Sequence, residues 1–323
     1  MKPHSFFLIA AVWIIAIVSD SAYAQGGYPN QPIRFIVPYT AGGGVDKVAR
    51  TIGDKLSRSL GVPVVIDNRG GAAGNIGTNL ASKSDPNGYT MMMGAAALAI
   101  NVSLYKNLPF DPIKDFQPVV LVAKTPNIVV VNPRLPVKTL KDLIRLAKSK
   151  PGVLNYASAG NGTTPHLAAE LLDSLADIKM THVPYKGSAP AVTAIVGGEV
   201  DVMISPALTV LPFIKSGALR ALATTGAKRS PAFPDIPTMS EAGLPDYEAS
   251  QWYGILVPAG TPIEIVNRLN REIIKITQLP EVREIFESDG SEVMADSPEQ
   301  FSQFLKLEIA RWSKVIKAED KLN

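Results

Sequence analysis

Three consecutive glycines near the start of the chain separate two segments with different hydrophobic patterns. Residues 33–37 form a short apolar run that is typical of a buried strand. After the glycines, apolar residues recur at helical spacing, at Val45, Val48, Ala49, Ile52, Leu56 and Leu60. The sequence therefore predicts a strand, a glycine loop and a helix. The loop either presents the unpaired N–H groups of the helix start to a small anion or is a tight turn that binds nothing.

A second loop of similar composition follows a later predicted strand. Residues 154–157 are mostly apolar, residues 158–165 are small and polar, and Leu167, Leu171 and Leu172 then have helical spacing. Another predicted strand, residues 89–94, is followed by three alanines where we expect a loop tip. Open α/β sheets bind ligands at the carboxyl ends of their strands. If the two halves face each other, a carboxylate would be held between them by neutral N–H and hydroxyl groups.

The N-terminus has the pattern of a secretory signal peptide. Lys2 and His4 precede an unbroken apolar run over residues 6–18, which is short for a membrane span. Residues 22–24 then match a signal peptidase site. We expect a signal peptide at residues 1–24, cleavage near Ala24 and a periplasmic mature protein that starts near Gln25. The alternative is an uncleaved N-terminal anchor.

Composition excludes several classes of site. The chain has no cysteine, which excludes disulfides, thiol catalysis, cysteine metal sites and lipid attachment through an N-terminal cysteine. Removing the signal takes away one Lys and one Asp, so 31 basic and 28 acidic residues leave the net charge at +3. With this mild charge and no basic cluster, we expect no nucleic-acid partner.

The glycine loops lack the accessory residues of familiar cofactor motifs. A dinucleotide fingerprint would need a small residue at Lys47, and the chain has neither a P-loop nor a Gly-x-Ser-x-Gly elbow. The mature chain has two histidines, so we predict no metal and no cofactor. His166, in the first turn of a helix, either donates to an anion or bonds to the local backbone. His182 lies in a predicted strand and is expected to be structural.

Helix and strand patterns alternate along the chain, which favours an α/β fold with parallel sheets. The mature length suggests two domains. We expect a first lobe at residues 25–124, a second lobe at 125–225, a crossover region at 226–250 and a return to the first lobe at 251–323. The amphipathic C-terminal helices would then pack on the first block. In this scheme residues 116–123 and 128–131 are two separate strands.

Six motifs, in order along the chain, resemble one protein family. They are PYTAGGGVDKVAR at 38–50, DNRGGAAGNIG at 67–77, NYASAGNGTTPHL at 155–167, VPYKG at 183–187, GGEVD at 197–201 and WYGILVPAGTP at 252–262. Together they are similar to the receptors of tripartite tricarboxylate transporters, the TctC or Bug family. The resemblance covers nearly the whole mature chain.

This resemblance implies a two-lobed periplasmic-binding-protein fold of the Venus-flytrap type, with the ligand cleft between the lobes. It implies a receptor, not an enzyme, that is monomeric, captures a small organic carboxylate and delivers it to a membrane permease. Carried over residue by residue, the ligand-binding positions of the first lobe would be Tyr39, Ala41, Gly42, Gly43, Gly44, Val45, Asp46, Ala95, Ala96 and Ala97. Those of the second lobe would be Ser158, Asn161, Thr163, Thr164, His166, Tyr185 and Ser205.

Three departures from the family pattern each remove side-chain polarity near the expected site. Val45 replaces a common Thr, Ala95 to Ala97 replace a usually polar tip, and Ser205 replaces a common Asp. We therefore expect a ligand less polar than citrate, such as an aromatic or branched carboxylate. The alternative is that these positions touch no ligand.

Two other functions stay open from the sequence. The chain could be a periplasmic enzyme for a carboxylated substrate with Asp46 or His166 as the base, which would need a perturbed titratable group beside the substrate. Asp46 could instead simply cap or pair at the first helix. The chain could also be a receptor for another permease or for a sensor kinase.

Overall fold

A computed structural model of the chain describes residues 27–226, 228–245, 247, 249–288 and 290–316. The predicted signal peptide and its cleavage site lie outside these residues. Within them, no helix combines the length and the apolarity that crossing a bilayer requires.

The first sheet contains the strand before the glycine loop. Strand β1 (Ile33–Val37) pairs in parallel with β2 (Val64–Asn68) on one side and with β3 (Thr90–Ala95) on the other. Beyond β3 come β9 (Ser250–Pro258) and the first half of β4 (Phe116–Val131), both antiparallel to their neighbours, and β10 (Glu292–Val293) pairs with β4. Its helices are α1 (Gly44–Leu60), α2 (Asn75–Ser82), α3 (Ala97–Leu104), α8 (Ile263–Thr277), α9 (Pro280–Ser288) and α10 (Pro298–Val315).

The second sheet is built on the other half of β4. That half lies between β7 (Val202–Pro206) and β8 (Arg220–Thr224), antiparallel to both. Strand β5 (Asn155–Ser158) then pairs in parallel with β7 and with β6 (Thr181–Pro184). The helices of this half are α4 (Leu140–Ser149), α5 (Thr164–Ala176), α6 (Ser188–Gly197) and α7 (Ala207–Lys215).

Strand β4 runs through both sheets, where the sequence predicted two strands. Polar residues interrupt the apolar pattern at its centre, and several of their groups form hydrogen bonds with other segments of the protein. The Thr125 and Ser291 hydroxyls lie 2.6 Å apart, and the Asn127 N–H donates to Thr225 Oγ1 at 2.8 Å. Because these partners come from segments distant in sequence, a local pattern does not reveal the continuous strand.

The hydrophobic core divides between the two sheets. Helices α1 and α8 share one cluster with β1, which includes Ile52, Phe35 and Leu269. Phe301 and Trp312 of α10 pack on the opposite face of the same sheet. Separate clusters surround β5 and β7. The C-terminal helices thus cover the first sheet, while the exact lobe boundaries at 124/125, 225/226 and 250/251 stay a prediction.

The structure contains two helices, α3 and α7, that the sequence patterns did not predict. Helix α3 begins at Ala97, so the expected loop tip at Ala95 to Ala97 is a tight junction between strand and helix. Helix α7 follows β7 directly and contains Pro212. Both helices are apolar on nearly all sides and largely buried, so they show no amphipathic period to detect.

A candidate ligand site between the two lobes

A small chamber lies where the carboxyl ends of β1 and β3 face those of β5 and β7. Its volume is about 30 Å³. We call it the inner chamber and define it by its lining residues, which are Tyr39, Thr40, Gly43, Gly44, Val45, Ala97, Ala159, Thr163, Thr164, Pro165, Ser188, Pro206, Thr209, Gln251 and Tyr253. The two lobes are in contact around it, since the Thr164 hydroxyl on α5 donates to Gln251 Oε1 on β9 at 2.6 Å.

Five helices begin at the inner chamber. The first residues of α1, α3, α5 and α6 are Gly44, Ala97, Thr164 and Ser188, and Pro206 precedes the first residue of α7. The start of a helix carries unpaired N–H groups and the positive end of the helix dipole. Among the lining residues none is Lys or Arg, so the chamber favours an anion without a positively charged side chain.

Close packing favours glycine at position 44. A Cβ atom on Gly44 would lie 3.0 Å from the Tyr253 hydroxyl and 3.1 Å from Thr209 Oγ1. The absent side chain therefore lets two hydroxyl groups approach the start of α1. Gly42, with φ of 82°, provides the left-handed turn that brings the chain into this position.

Asp46 holds the glycine loop in shape and does not line the chamber. Its carboxylate, almost fully buried, accepts hydrogen bonds from the Gly42 N–H at 2.8 Å, Arg50 Nε at 2.9 Å and Asn68 Nδ2 at 2.9 Å. Burial by itself raises the pKa of Asp46, but these hydrogen bonds and the charge of Arg50 outweigh it and lower the pKa. Asp46 therefore stays ionised, and its carboxylate stabilises the glycine loop from outside the chamber.

Three buried hydroxyl groups at the site have no hydrogen-bond partner within the described chain. They are Thr40 Oγ1, Thr209 Oγ1 and Ser205 Oγ. Thr40 and Thr209 line the inner chamber, and Ser205 precedes the lining residue Pro206. A buried hydroxyl without a partner costs free energy, so such groups are usually satisfied by something. Of these, Thr40 and Thr209 can donate to an anion bound in the inner chamber.

Two stacked histidines hold the second-lobe loop. The Gly160 N–H donates to Ser158 Oγ at 3.1 Å, and that oxygen lies 2.6 Å from His182 Nε2. The Gly162 N–H donates to His166 Nδ1 at 3.1 Å, and the two imidazole rings stack with centroids 4.2 Å apart. Of the two roles predicted for His166, the structure therefore shows the bond to the local backbone. Burial, and then the neighbouring His166, lower the pKa of His182 to about 4 against an opposing effect of Glu170, so His182 is neutral at pH 7.

A wider outer chamber of about 200 Å³ adjoins the inner one and shares Tyr39, Thr40 and Ala159 with it. It lies between the glycine-rich residues 70–74 of the first lobe and the end of β6. Three tyrosines and one cation line it, namely Tyr39, Tyr105, Tyr185 and Lys186. The two chambers are thus neighbours, with neutral donors in the inner one and several aromatic side chains in the outer one.

The expected ligand-binding residues divide into three groups. Lining the inner chamber are Tyr39, Gly43, Gly44, Val45, Ala97, Thr163 and Thr164, and lining the outer chamber are Tyr39, Asn161 and Tyr185. Lining neither are Ala41, Gly42, Asp46, Ala95, Ala96, Ser158, His166 and Ser205. For all of them, contact with a ligand stays a prediction.

Several lining residues were not identified from the sequence. They include Thr40, Ala159, Ser188, Thr209, Gln251 and Tyr253. Ser188 had a local signal, since it follows Gly187 at the start of a helix. Thr209 lies on α7, whose helical nature the pattern did not show, and Gln251 and Tyr253 reach the chamber only because β9 pairs with β3 and β4.

The described residues contain no group of three or more His, Asp or Glu side chains that could hold a metal ion. What the chamber presents is N–H groups, hydroxyl groups and aromatic rings. The N–H and hydroxyl groups can bind an anion, and the rings can contact the apolar part of such a ligand.

Comparison with known proteins agrees with this geometry. The sequence model of the tripartite tricarboxylate transporter family receptors matches residues 48–321. Protein BugT of Bordetella pertussis is 39% identical over 311 residues, covering 96% of this chain and 94% of BugT. A structure of an R. palustris protein with adipate is 36% identical with a TM-score of 0.88, covering 91% of this chain and 98% of that one.

A second solved structure, MatC from Rhodopseudomonas palustris with bound malate, is 32% identical with a TM-score of 0.86. It covers 90% of this chain and 100% of MatC. BugD, another similar structure at 33% identity and a TM-score of 0.86, is a periplasmic binding protein. The predicted family and the predicted two-lobed fold are both confirmed. The chain belongs to the tripartite tricarboxylate transporter family of receptors.

Proposed function

We propose that this receptor binds a small carboxylate whose body is less polar than citrate and delivers it to a tripartite tricarboxylate-type permease. The observation that supports this most is the convergence of five helix N-termini on a chamber with unpartnered hydroxyls and no lining Lys or Arg. Such a chamber suits one carboxylate group. The relatives with adipate and with malate bind ligands of this class.

The lower polarity of the ligand rests on the side chains around the chambers. Val45 and Ala97 line the inner chamber, whereas Ala95 and Ala96 lie behind it. In the outer chamber the tyrosine rings offer apolar and stacking surface beside a single cation, Lys186. We propose that the carboxylate of the ligand occupies the inner chamber and that an aromatic or extended aliphatic body reaches the outer chamber.

A thermal-shift screen of the mature protein tests this proposal. The set contains citrate, C4 to C6 diacids including adipate, amino acids, nicotinate, benzoates and phthalates. A ligand at a hundredfold its Kd stabilises the protein by about 2.7 kcal/mol, which is a shift of a few degrees at this size. We expect hits among aromatic or extended acids. Hits among citrate-like acids alone would contradict the proposed ligand class, and no hit in the whole set would contradict carboxylate binding.

A matched pair of variants tests whether the ligand found in this screen binds in the inner chamber. Thr209→Val removes a hydroxyl that has no partner among the residues the structure describes, so the fold should not lose stability. If the hydroxyl donates to the carboxylate, affinity should fall roughly tenfold to a hundredfold. The control is Thr193→Val, whose hydroxyl donates to the Ala189 carbonyl oxygen on the exposed side of α6. Equal affinities of the two variants would remove Thr209 from the site.

We also propose that the mature receptor is exported with its signal cleaved after Ala24, is monomeric and leaves its ligand chemically unchanged. Periplasmic relatives and the N-terminal pattern support export. Asp46, one candidate base of the enzyme alternative, has its carboxylate occupied by three donors. Mass spectrometry of secreted protein should give a chain starting at Gln25, and mass spectrometry of the ligand after long incubation should recover the same compound. A retained signal or a converted ligand would each contradict the corresponding statement.

A further inference from the structure

Two glycines of the second lobe lie directly against side chains of the first lobe at the rim of the site. A Cβ atom on Gly162 would lie 2.6 Å from Asn101 Oδ1 and 2.6 Å from Leu104 Cδ2, both on α3. A Cβ atom on Gly187 would lie 2.1 Å from Thr40 Oγ1. All of these separations are shorter than real Cβ contacts, so the lobes approach this closely only because both positions are glycine.

The side chains opposite Gly162 are not free to move aside. Asn101 is 1% exposed, and its Nδ2 donates to Asn75 Oδ1 at 2.7 Å and to the Ala73 carbonyl oxygen at 3.3 Å. Leu104 is 2% exposed and packs in the core of the first lobe. A methyl group at position 162 must therefore either break buried hydrogen bonds and packing or hold the lobes apart.

We propose that Gly162 and Gly187 determine ligand size by setting how closely the lobes approach each other. Gly162 lines neither chamber, yet the distance across both chambers depends on its contact with α3. Without a side chain there, closure leaves an inner chamber of about 30 Å³. With a methyl group there, closure stops earlier and the space between the lobes is larger. The part of this proposal that concerns ligand size rests on the proposed function, whereas the contact itself does not.

A disulfide across the cleft measures closure without any ligand. A Cβ atom on Gly43 would lie 3.9 Å from Ser188 Cβ, which is within the range of real disulfides, and the chain has no native cysteine. The Gly43→Cys and Ser188→Cys pair, purified reduced and then oxidised, should cross-link in the otherwise unchanged protein. No cross-link in that background would contradict the closed contact on which the proposal depends.

The decisive comparison adds Gly162→Ala or Gly152→Ala to this pair. Both glycines have left-handed backbones, with φ of 79° and 75°, but a Cβ on Gly152 would meet nothing within 4 Å. The two substitutions therefore carry similar backbone strain, and only one blocks the lobe contact. We expect Gly162→Ala to slow cross-linking about tenfold or more and Gly152→Ala to leave it unchanged. Equal rates for the two variants, at equal urea midpoints, would overturn the proposal.

Ligand size is then tested without the cysteine pair. Linear dicarboxylates from four to eight carbons, probed by thermal shift, should stabilise Gly162→Ala best at a longer chain than they stabilise the unchanged protein and Gly152→Ala. An unaltered preference in Gly162→Ala, despite slowed cross-linking, would overturn the role in specificity. If no carboxylate stabilises any of the three proteins while cross-linking still slows, the contact stands and the proposed function fails.

Discussion

Asp46 links the glycine loop to the first helix through a buried carboxylate with three donors. An asparagine there keeps one oxygen acceptor, so it leaves donors unmatched and loses the charge-assisted bond to Arg50. We expect Asp46→Asn to lower the free energy of unfolding by about 1–3 kcal/mol at pH 7. Urea unfolding measures the loss.

The control for Asp46 lies two turns further along the same helix. Asp54 pairs with Arg58 on the solvent side, and both side chains are more than half exposed. Exposed pairs of this kind contribute only about 0.3–0.5 kcal/mol, so Asp54→Asn should be nearly neutral. Equal losses for the two variants would contradict the structural role of Asp46. The sequence pointed to Asp46 through its position in the motif, but only its donors show why a carboxylate is needed.

At the scale of elements, β5, β6 and α5 enclose a group of titratable side chains beneath the second-lobe loop. His182 faces Ser158 and His166, and the Tyr156 hydroxyl donates to Glu170. Asp173 accepts from the Met180 N–H at 2.7 Å, and burial, together with the nearby charge of Glu170, raises its pKa to about 6. The pKa of His182 is instead lowered to about 4.

These two shifts have opposite effects on stability between pH 4 and 6. Over this range His182 is protonated only in the unfolded chain, so its contribution makes stability fall as the pH falls. Asp173 is protonated only in the folded chain, so its contribution makes stability rise as the pH falls. We expect His182→Gln to reduce the loss of stability on acidification from pH 6.5 to 4 and Asp173→Asn to steepen it from pH 6 to 4. Urea unfolding at several pH values checks both signs, and parallel curves for all three proteins would contradict them.

Elements with an amphipathic pattern were predictable, whereas two largely buried apolar helices, α3 and α7, were not. The periods of α1, α4, α8 and α10 are clear in the sequence, and Thr139 and Asp142 form a capping box at the start of α4. Helix α5 begins at Thr164 with Thr163 as its N-cap and Pro165 in its first turn. Helices α3 and α7 are buried on nearly all sides, so a rule based on one polar face fails for them.

At the scale of the whole molecule, β4 joins two sheets that otherwise have separate cores. Its first half pairs with β9 and its second half with β7 and β8. Buried polar contacts at the junction, such as the one between Asn127 and Thr225, keep this strand continuous. The two lobes therefore share strand β4. Across the cleft, the contacts of Gly162 and Gly187 limit how far the lobes close.

The sequence alone determined the family, the α/β class and the glycine-rich loops that line the two chambers, because these follow from local order: apolar runs, glycine spacing and motif succession. Only the tertiary structure decided which side chains meet at the chamber. Gly44, Thr209 and Tyr253 come from α1, α7 and β9, far apart in the chain, and their approach depends on how the sheets pair. The tertiary structure likewise decided that five helices begin at one chamber and that Asp46 stabilises the glycine loop without lining the chamber. Both depend on distances across the fold, which no local sequence pattern records.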